Sequence, residues 1–246
     1  MASSPKPALK KTVIPVYKRT GLTPLQTLDN LRLTWPEYAK VKLSYAGRLD
    51  PMAEGVMLVL CGQEVNNKEH YTKLDKTYEF ELLYGFATDT HDLLGLVTDV
   101  GDPRPVGSVP VDLLVGPWQQ EYPKYSSPKI AGKISFSKKV EIYDAKVLDF
   151  YYISGRELLK MIIDRVNRVV GDFRQAEVVC AWQNILSQRS EVLFTIVRGE
   201  MAVSSGTYVR AVAHELGRRA GCPALAFSIK RTKVGDYKIE DCVRID

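Results

Sequence analysis

A chain of 246 residues is long enough for one large domain with a sizeable core or for two small ones. Hydrophobic residues make up 45% and charged residues 26%, an ordinary globular balance, and no apolar run approaches a membrane span or a signal-peptide core. Cys61, Cys180, Cys222 and Cys242 are scattered without a C-x-x-C pair, which argues against a disulfide framework or a thiolate metal site and fits a reducing cytoplasm, while the net charge of +5 permits nucleic-acid binding without requiring it.

Along the chain, Lys6, Lys10, Lys11, Lys18 and Arg19 form an acid-free basic N-terminus whose first eleven residues read as a flexible arm. Thr23-Pro24-Leu25-Gln26 predicts a helix start, with Thr23 as cap, Pro24 in the first turn and Gln26 closing a capping box. Leu25, Leu28 and Leu31 then form a buried stripe. Val56 to Leu60, bounded by Gly55 and Gly62, reads as a core strand. Lys76 to Tyr84 alternates, with Tyr78, Phe80, Leu82 and Tyr84 on one face and Glu79 and Glu81 on the other, a half-buried strand. Gly101 to Pro110 reads as a loop. Lys124, Lys129, Lys133, Lys138 and Lys139 form a second acid-free stretch laced with Tyr122, Tyr125 and Phe136, aromatics suited to stacking on bases. Val140 to Ile153 predicts one or two strands. Arg156 to Phe173 predicts a helix, with Leu159, Ile162, Ile163, Val166 and Val170 at helical spacing. Glu191 to Val203 returns to strand. Thr207 to Ala220 reads as an amphipathic helix, capped by Ser205 or Thr207 and stopped at Gly221, and Leu225 to Tyr237 as closing strands. Strands and helices mixed without a regular βαβ rhythm make the fold class α+β.

Chemistry concentrates around Asp50. Pro51 disfavours the α region for the residue before it, so Asp50 is held extended, and Gly47 and Gly55 bracket the segment as a tight loop able to present one acid. Asp-Pro alone is more often a plain turn. The surrounding blocks reverse that reading. Gly47-Arg48-Leu49-Asp50-Pro51-Met52-Ala53-Glu54-Gly55-Val56 resembles the G-x-L-D-P-x-A-x-G-V/L block of TruB-type pseudouridine synthases. In the family's order follow Asp75-Lys76-Thr77-Tyr78, Thr88-Asp89-Thr90-His91-Asp92-Leu93-Leu94-Gly95, Pro123 to Lys129, and Gly206-Thr207-Tyr208-Val209-Arg210.

That resemblance implies the pseudouridine synthase fold: a mostly antiparallel mixed sheet with flanking helices and a central active-site cleft. It implies an isomerase acting on structured RNA, most naturally uridine 55 in the TΨC loop of tRNA, reached by base flipping. The reaction breaks the bond from the sugar to a ring nitrogen and rejoins the base through carbon 5. It needs no redox cofactor, nucleotide or metal, only an ionised carboxylate held in a dry pocket. Asp50 matches the catalytic aspartate, as nucleophile or as base, and Arg210 the arginine that pairs with it. Tyr78 matches the tyrosine that stacks on the extracted base. Substrate contacts are expected from Tyr45, Gly47, Arg48, Lys18, Ile229 and Lys230, and from Tyr125, Lys129 and Lys133 in a thumb-like insertion at about 120–140.

Four features depart from the family pattern. The chain ends soon after Tyr237, leaving no room for the PUA-like RNA-binding domain usual in bacterial members. Residues of about 153–190 read as a helical elaboration on a single catalytic domain. Tyr45 stands where a histidine is usual, and Arg19 replaces the proline of the N-terminal basic turn. Two other readings stay open: a catalytically retired RNA-binding or tRNA-folding protein on the same scaffold, and an active synthase with another RNA target. Presence of Asp50, Tyr78 and Arg210 together favours the enzyme. RNA is the expected partner, with no membrane or nucleotide cofactor and a monomeric state.

Overall fold

The computed structural model describes residues 11–103, 114–123 and 137–245, with the backbone alone at 129–130 and 133–134. Its elements run β1 Val13–Lys18, α1 Pro24–Thr34, β2 Leu43–Ala46, β3 Ala53–Cys61, α2 Lys68–Lys73, β4 Lys76–Tyr84, β5 Phe86–Thr88 and β6 Val97–Val100. Then follow β7 Gly116–Glu121, β8 Lys129–Ile130, β9 Lys133–Ile134, β10 Ser137–Ser154, α3 Gly155–Asn167, α4 Gln175–Leu186, β11 Leu193–Val203, α5 Val209–Arg219, β12 Ala224–Val234 and β13 Tyr237–Lys238.

Seven strands form the spine of one sheet in the order β1-β3-β12-β4-β11-β10-β7, with β2 added on β3 and β13 on β12. Every pairing in it is antiparallel except β12 with β3. The class is the expected α+β, with a mostly antiparallel sheet between helices. On one face, Val209, Val212, Ala213 and Leu216 of α5 pack against Tyr78, Phe80, Leu82, Val197, Met201 and Ala226. On the other, Leu158, Ile162 and Val166 of α3 and Val178, Trp182 and Leu186 of α4 cover Leu83, Phe86, Phe194, Ile196, Leu225 and Phe227. The alternation seen in β4 is the reason: even positions from Tyr78 to Tyr84 are buried beneath α5, while Glu79 and Glu81 face away.

Most predicted elements stand where the pattern places them, with three corrections. The Thr23–Gln26 capping box forms as expected, and Leu28 and Leu31 are buried, but Leu25 is 61% exposed. Thr27 takes the buried place in the first turn, because the stripe of a helix drifts around its axis. The helix predicted to Phe173 stops at Asn167, so Val170 is exposed beyond it, and a second helix, α4, follows. Neither Ser205 nor Thr207 caps α5, whose cap position is Tyr208; their hydroxyls donate instead to Thr72 O and Ser204 O. The region Val140–Ile153 is a single strand, 18 residues from Ser137 to Ser154. Of the loop predicted at Gly101–Pro110, only Gly101 to Pro103 lies within the described residues.

Among the described residues no helix is long and apolar enough to cross a membrane.

Candidate active site

Asp50 stands in the irregular stretch between β2 and β3, with its carboxylate 26% exposed. A short turn follows, closed by Ala53 N donating to Asp50 O at 3.0 Å, and Gly21 N donates to Pro51 O at 2.8 Å. Gly47 and Gly55 both take positive φ, 71° and 107°. Gly55 is also fixed by close approach: it pairs with Arg231 where β12 runs parallel to β3, and a Cβ there would collide with the Arg231 backbone.

Arg231 then holds the loop from behind. Its side chain is almost fully buried and donates to three carbonyls: Nε to Val56 O at 2.7 Å, Nη2 to Gly47 O at 3.1 Å and Nη1 to Arg48 O at 3.4 Å. Those carbonyls sit on both sides of Asp50, so one planar guanidinium staples the loop's two arms together.

In front of the loop lies Arg210, in the first turn of α5 and nearly buried. Its Nε donates to Asp50 Oδ2 at 2.9 Å, its Nη1 donates to Thr90 O at 2.7 Å, and Asp92 Oδ2 is 3.7 Å from Nε. Burial alone disfavours the guanidinium charge, but Asp50 and Asp92 outweigh it and hold the arginine's pKa above its ordinary value. Asp92 is buried, which pushes its pKa up; Thr90 Oγ1 at 2.6 Å and Leu94 N at 3.0 Å donate to the same Oδ1. The block at 88–95 therefore works as a clamp for Arg210, with Asp92 its acidic jaw. In the opening of the chain at Tyr208, Gln120 is buried; its Nε2 donates to Gly206 O at 2.7 Å and its Oε1 accepts from Tyr208 N at 2.9 Å. The Tyr208 ring meets Tyr122 edge-on, with centroids 5.5 Å apart, and its pKa is raised by burial and then by Asp50.

Two cavities meet at Asp50. The first, about 360 Å³, is lined by Asp50, Arg210, Tyr78, Ile229, Tyr208 and Tyr122, with Lys76, Lys138 and Arg231. The second, about 610 Å³, opens on the other side of the loop between Thr23–Leu25, Tyr45, Thr90–Leu94 and the turn Asp172–Arg174 that joins α3 to α4. Arg48, Leu49, Asp50 and Arg210 line both.

Expected site residues divide accordingly. Asp50, Tyr78, Arg210, Gly47, Arg48 and Ile229 come together at the first cavity, and Tyr45 borders the second, with Lys68 Nζ 4.9 Å above its ring. Lys18 departs from the expectation of a surface contact. It is wholly buried, donates to Ala53 O at 2.6 Å and Arg19 O at 3.1 Å, and has its pKa lowered to about 7, chiefly by burial. It braces the β3 start from inside. Lys230 also departs: it faces Glu79 across the sheet, at 3.3 Å, on the side opposite Ile229 and away from both cavities. Tyr125 lies outside the described residues, as do the side chains of Lys129 and Lys133, whose backbones pair as the hairpin β8–β9. Residues to which the sequence reading assigned no role of their own are Asp92, Tyr208, Gln120 and Arg231. Asp92 and Tyr208 have a signal in the quoted blocks, since Asp92 closes T-D-T-x-D and Tyr208 sits two before Arg210; Arg231 follows the expected Ile229 and Lys230, and nothing local marks Gln120.

Residues 37–151 match the family described as TruB family pseudouridylate synthase (N terminal domain). The tRNA pseudouridine synthase B of Bacillus velezensis is 30% identical over 235 residues, covering 94% of this chain and 67% of that protein. The chain belongs to the TruB family. Its members are RNA isomerases. The Bacillus pumilus tRNA pseudouridine synthase B is 29% identical over 210 residues, covering 83% of this chain and 60% of the relative's length. Among solved structures, a Cbf5-Nop10-Gar1 complex has a chain that superposes with a TM-score of 0.60 at 18% identity, over 95% of this chain and 52% of that one. A chain of an H/ACA RNP bound to a substrate RNA superposes with a TM-score of 0.57 at 17% identity, over 94% and 50%. The TruB fold is thus present from the sheet to the Asp50 loop.

Proposed function

We propose that this protein isomerises a uridine of structured RNA to pseudouridine, with tRNA as the substrate and uridine 55 of the TΨC loop as the position. The observation that carries this reading is the Asp50–Arg210 contact of 2.9 Å in the wall of a cavity that Tyr78 and Ile229 also line. A carboxylate bonded on one oxygen by a buried arginine is held in a fixed orientation, while 26% exposure leaves it accessible to a ligand. The cavity's size suits one flipped nucleoside rather than a duplex, and its apolar and aromatic walls suit a base lifted from its stack. Asp50 supplies the nucleophile or base of the isomerisation, Arg210 positions it, and Tyr78 faces the base.

The relatives named tRNA pseudouridine synthase B support tRNA as the substrate class. Lys138 and Lys139, at the start of β10, are the described lysines of the expected thumb at about 120–140 and would contact the RNA. The test is to react the purified protein with an unmodified tRNA transcript and map pseudouridine at single-nucleotide resolution. The reading expects one modified position, in the TΨC loop, that disappears with Asp50→Asn while RNA binding persists. Modification elsewhere would overturn the position, and full single-turnover activity of Asp50→Asn would overturn the role of Asp50.

A further inference from the structure

The cavity beside Asp50 carries more positive charge than its acid can balance. Arg210 is matched by Asp50 and Asp92, but Lys76, Lys138 and Arg231 line the same space with no carboxylate bonded to any of them among the described residues. They are neighbours. An ideal Cβ placed on Gly47 would lie 3.6 Å from Arg231 Nη1 and 3.7 Å from Lys76 Cε. Lys76 Nζ donates to Thr72 O at 2.7 Å and also to Leu74 O. Thr72 O accepts Ser205 Oγ at 2.7 Å as well, and Ser205 O accepts Lys138 Nζ at 2.8 Å. One short chain of bonds thus joins the two ammonium groups.

Donor accounting separates the three. Each ammonium has three N–H groups. Among the described residues Lys76 uses two on carbonyls and Lys138 uses one, which leaves one and two respectively. Arg231 places three of its five N–H groups on the carbonyls of the Asp50 loop and, almost fully buried, contributes chiefly its charge. Gly206 belongs to the same arrangement: the Lys138 side chain crosses it where a Cβ would fall on the ammonium. Clustered, partly desolvated cations without a counter-ion are costly by themselves, and an anion relieves the cost.

We propose that Lys76 and Lys138, backed by Arg231, form a phosphate seat in this cavity, which holds the phosphodiester of the nucleotide whose base enters beside Tyr78. This deepens the proposed function and rests on its reading of the cavity as a nucleotide site. The seat explains why a flipped uridine would stay: the backbone phosphate that swings with the base meets charge-assisted donors next to Asp50. Burial already lowers the pKa of Lys76 to about 8, with Arg231 and Lys138 adding to the effect, and it lowers that of Lys138. A bound anion opposes each of these causes, so occupancy raises the Lys76 midpoint.

A first experiment needs no catalysis. Lysines are reductively methylated with 13C-formaldehyde, the Lys76 resonance is assigned with Lys76→Arg, and its titration is followed with inorganic phosphate or with chloride at equal ionic strength. Phosphate should raise the midpoint by roughly half a unit or more beyond chloride, and Lys138→Gln should abolish the difference. Equal effects of the two salts would overturn the seat. A second experiment places a neutral methylphosphonate linkage on either side of the target uridine. At one linkage, the wild type should lose about tenfold in RNA affinity or single-turnover rate, as for one charge-assisted bond, and Lys76→Met/Lys138→Gln should lose almost nothing further. Additive losses would overturn the proposal. A wild type that shows the phosphate shift yet isomerises no uridine would sink the enzymatic reading alone.

Discussion

Removing Arg210 exposes the energetics of the site most directly. In Arg210→Ala, Asp50 loses its 2.9 Å partner and Asp92, 6% exposed at its side chain, loses its nearest cation. Breaking a buried pair by deleting one member costs about 3–5 kcal/mol, because the survivor is left charged in a poor solvent. Asp50 is partly hydrated, so most of the loss falls on Asp92 and the lower end, about 3 kcal/mol, is expected. For a chain of this size that corresponds to roughly 6–12 °C in Tm. The loss should depend on pH. Burial raises the pKa of Asp92, so the folded chain binds its proton more tightly than the unfolded chain, and the ionised form is what destabilises. Without Arg210 that pKa rises further, so the gap between variant and wild type should narrow as pH falls from about 8 to about 5. Urea or thermal unfolding across that range, with circular dichroism to confirm the fold, measures it. Arg210→Lys should recover much of the stability but little of the isomerisation rate, since one ammonium cannot reproduce the fork that reaches both Asp50 Oδ2 and Thr90 O. A loss below about 1 kcal/mol, or a gap that does not change with pH, would refute the view of Arg210 as the buried counter-ion.

Gly55→Ala should destabilise by several kcal/mol, on the order of the largest single-site effects, because its Cβ meets the Arg231 backbone rather than a movable side chain and φ is 107°; a small shift in the unfolding midpoint would contradict the close approach. Arg174→Ala removes contacts of 3.1 and 3.3 Å to Asp89, at the head of the clamp, and should cost on the order of 1 kcal/mol. Its signature should be a several-fold lower single-turnover rate with RNA affinity little changed, and the reverse pattern would make Arg174 an RNA contact. Lys18→Met should alter the pH profile of stability. With a folded pKa of about 7 against a lysine's ordinary 10.5, the unfolded chain binds more protons between those values, so Lys18 makes wild-type stability rise with pH across that window. The variant should lack that rise, and parallel profiles would show that Lys18 does not titrate low.

How far the sequence reaches depends on the range of the forces involved. Period-two alternation placed Tyr78 to Tyr84 correctly because one face of β4 is buried under a single helix. The capping box at Thr23 and the stop at Gly221, with φ of 66°, are local chemistry and equally legible. Leu25 was misplaced because nothing local distinguishes a leucine bordering a cavity from one in the core. The end of α3 and the start of α4 were missed for a similar reason: Arg174 enters α4 from a left-handed conformation, φ 62°, without a capping side chain, and is held by Asp89 far away in sequence. At the site, Asp50 and Arg210 were found through their blocks. Lys230 was not separable from Ile229, since only the register against β4 shows which of two neighbours faces the cavity.

The arrangement around Asp50 also accounts for a choice of residue that pattern reading treats as noise. A loop that must present a carboxylate cannot be pinned by apolar packing alone, since its own carbonyls on either side need donors. Arg231 meets that need from within the sheet, and it can do so because β12 joins β3 in parallel at Ile229 to Arg231, bringing the strand up to Gly55 without a side chain between them. The same contact that makes Gly55 indispensable therefore puts a fixed positive charge behind Asp50. Arg210 approaches from α5 in front, clamped by Asp92 and Thr90. Asp50 thus lies between two guanidinium groups with different tasks: one is spent on backbone carbonyls and sets where the loop is, while the other touches the carboxylate and sets how it points.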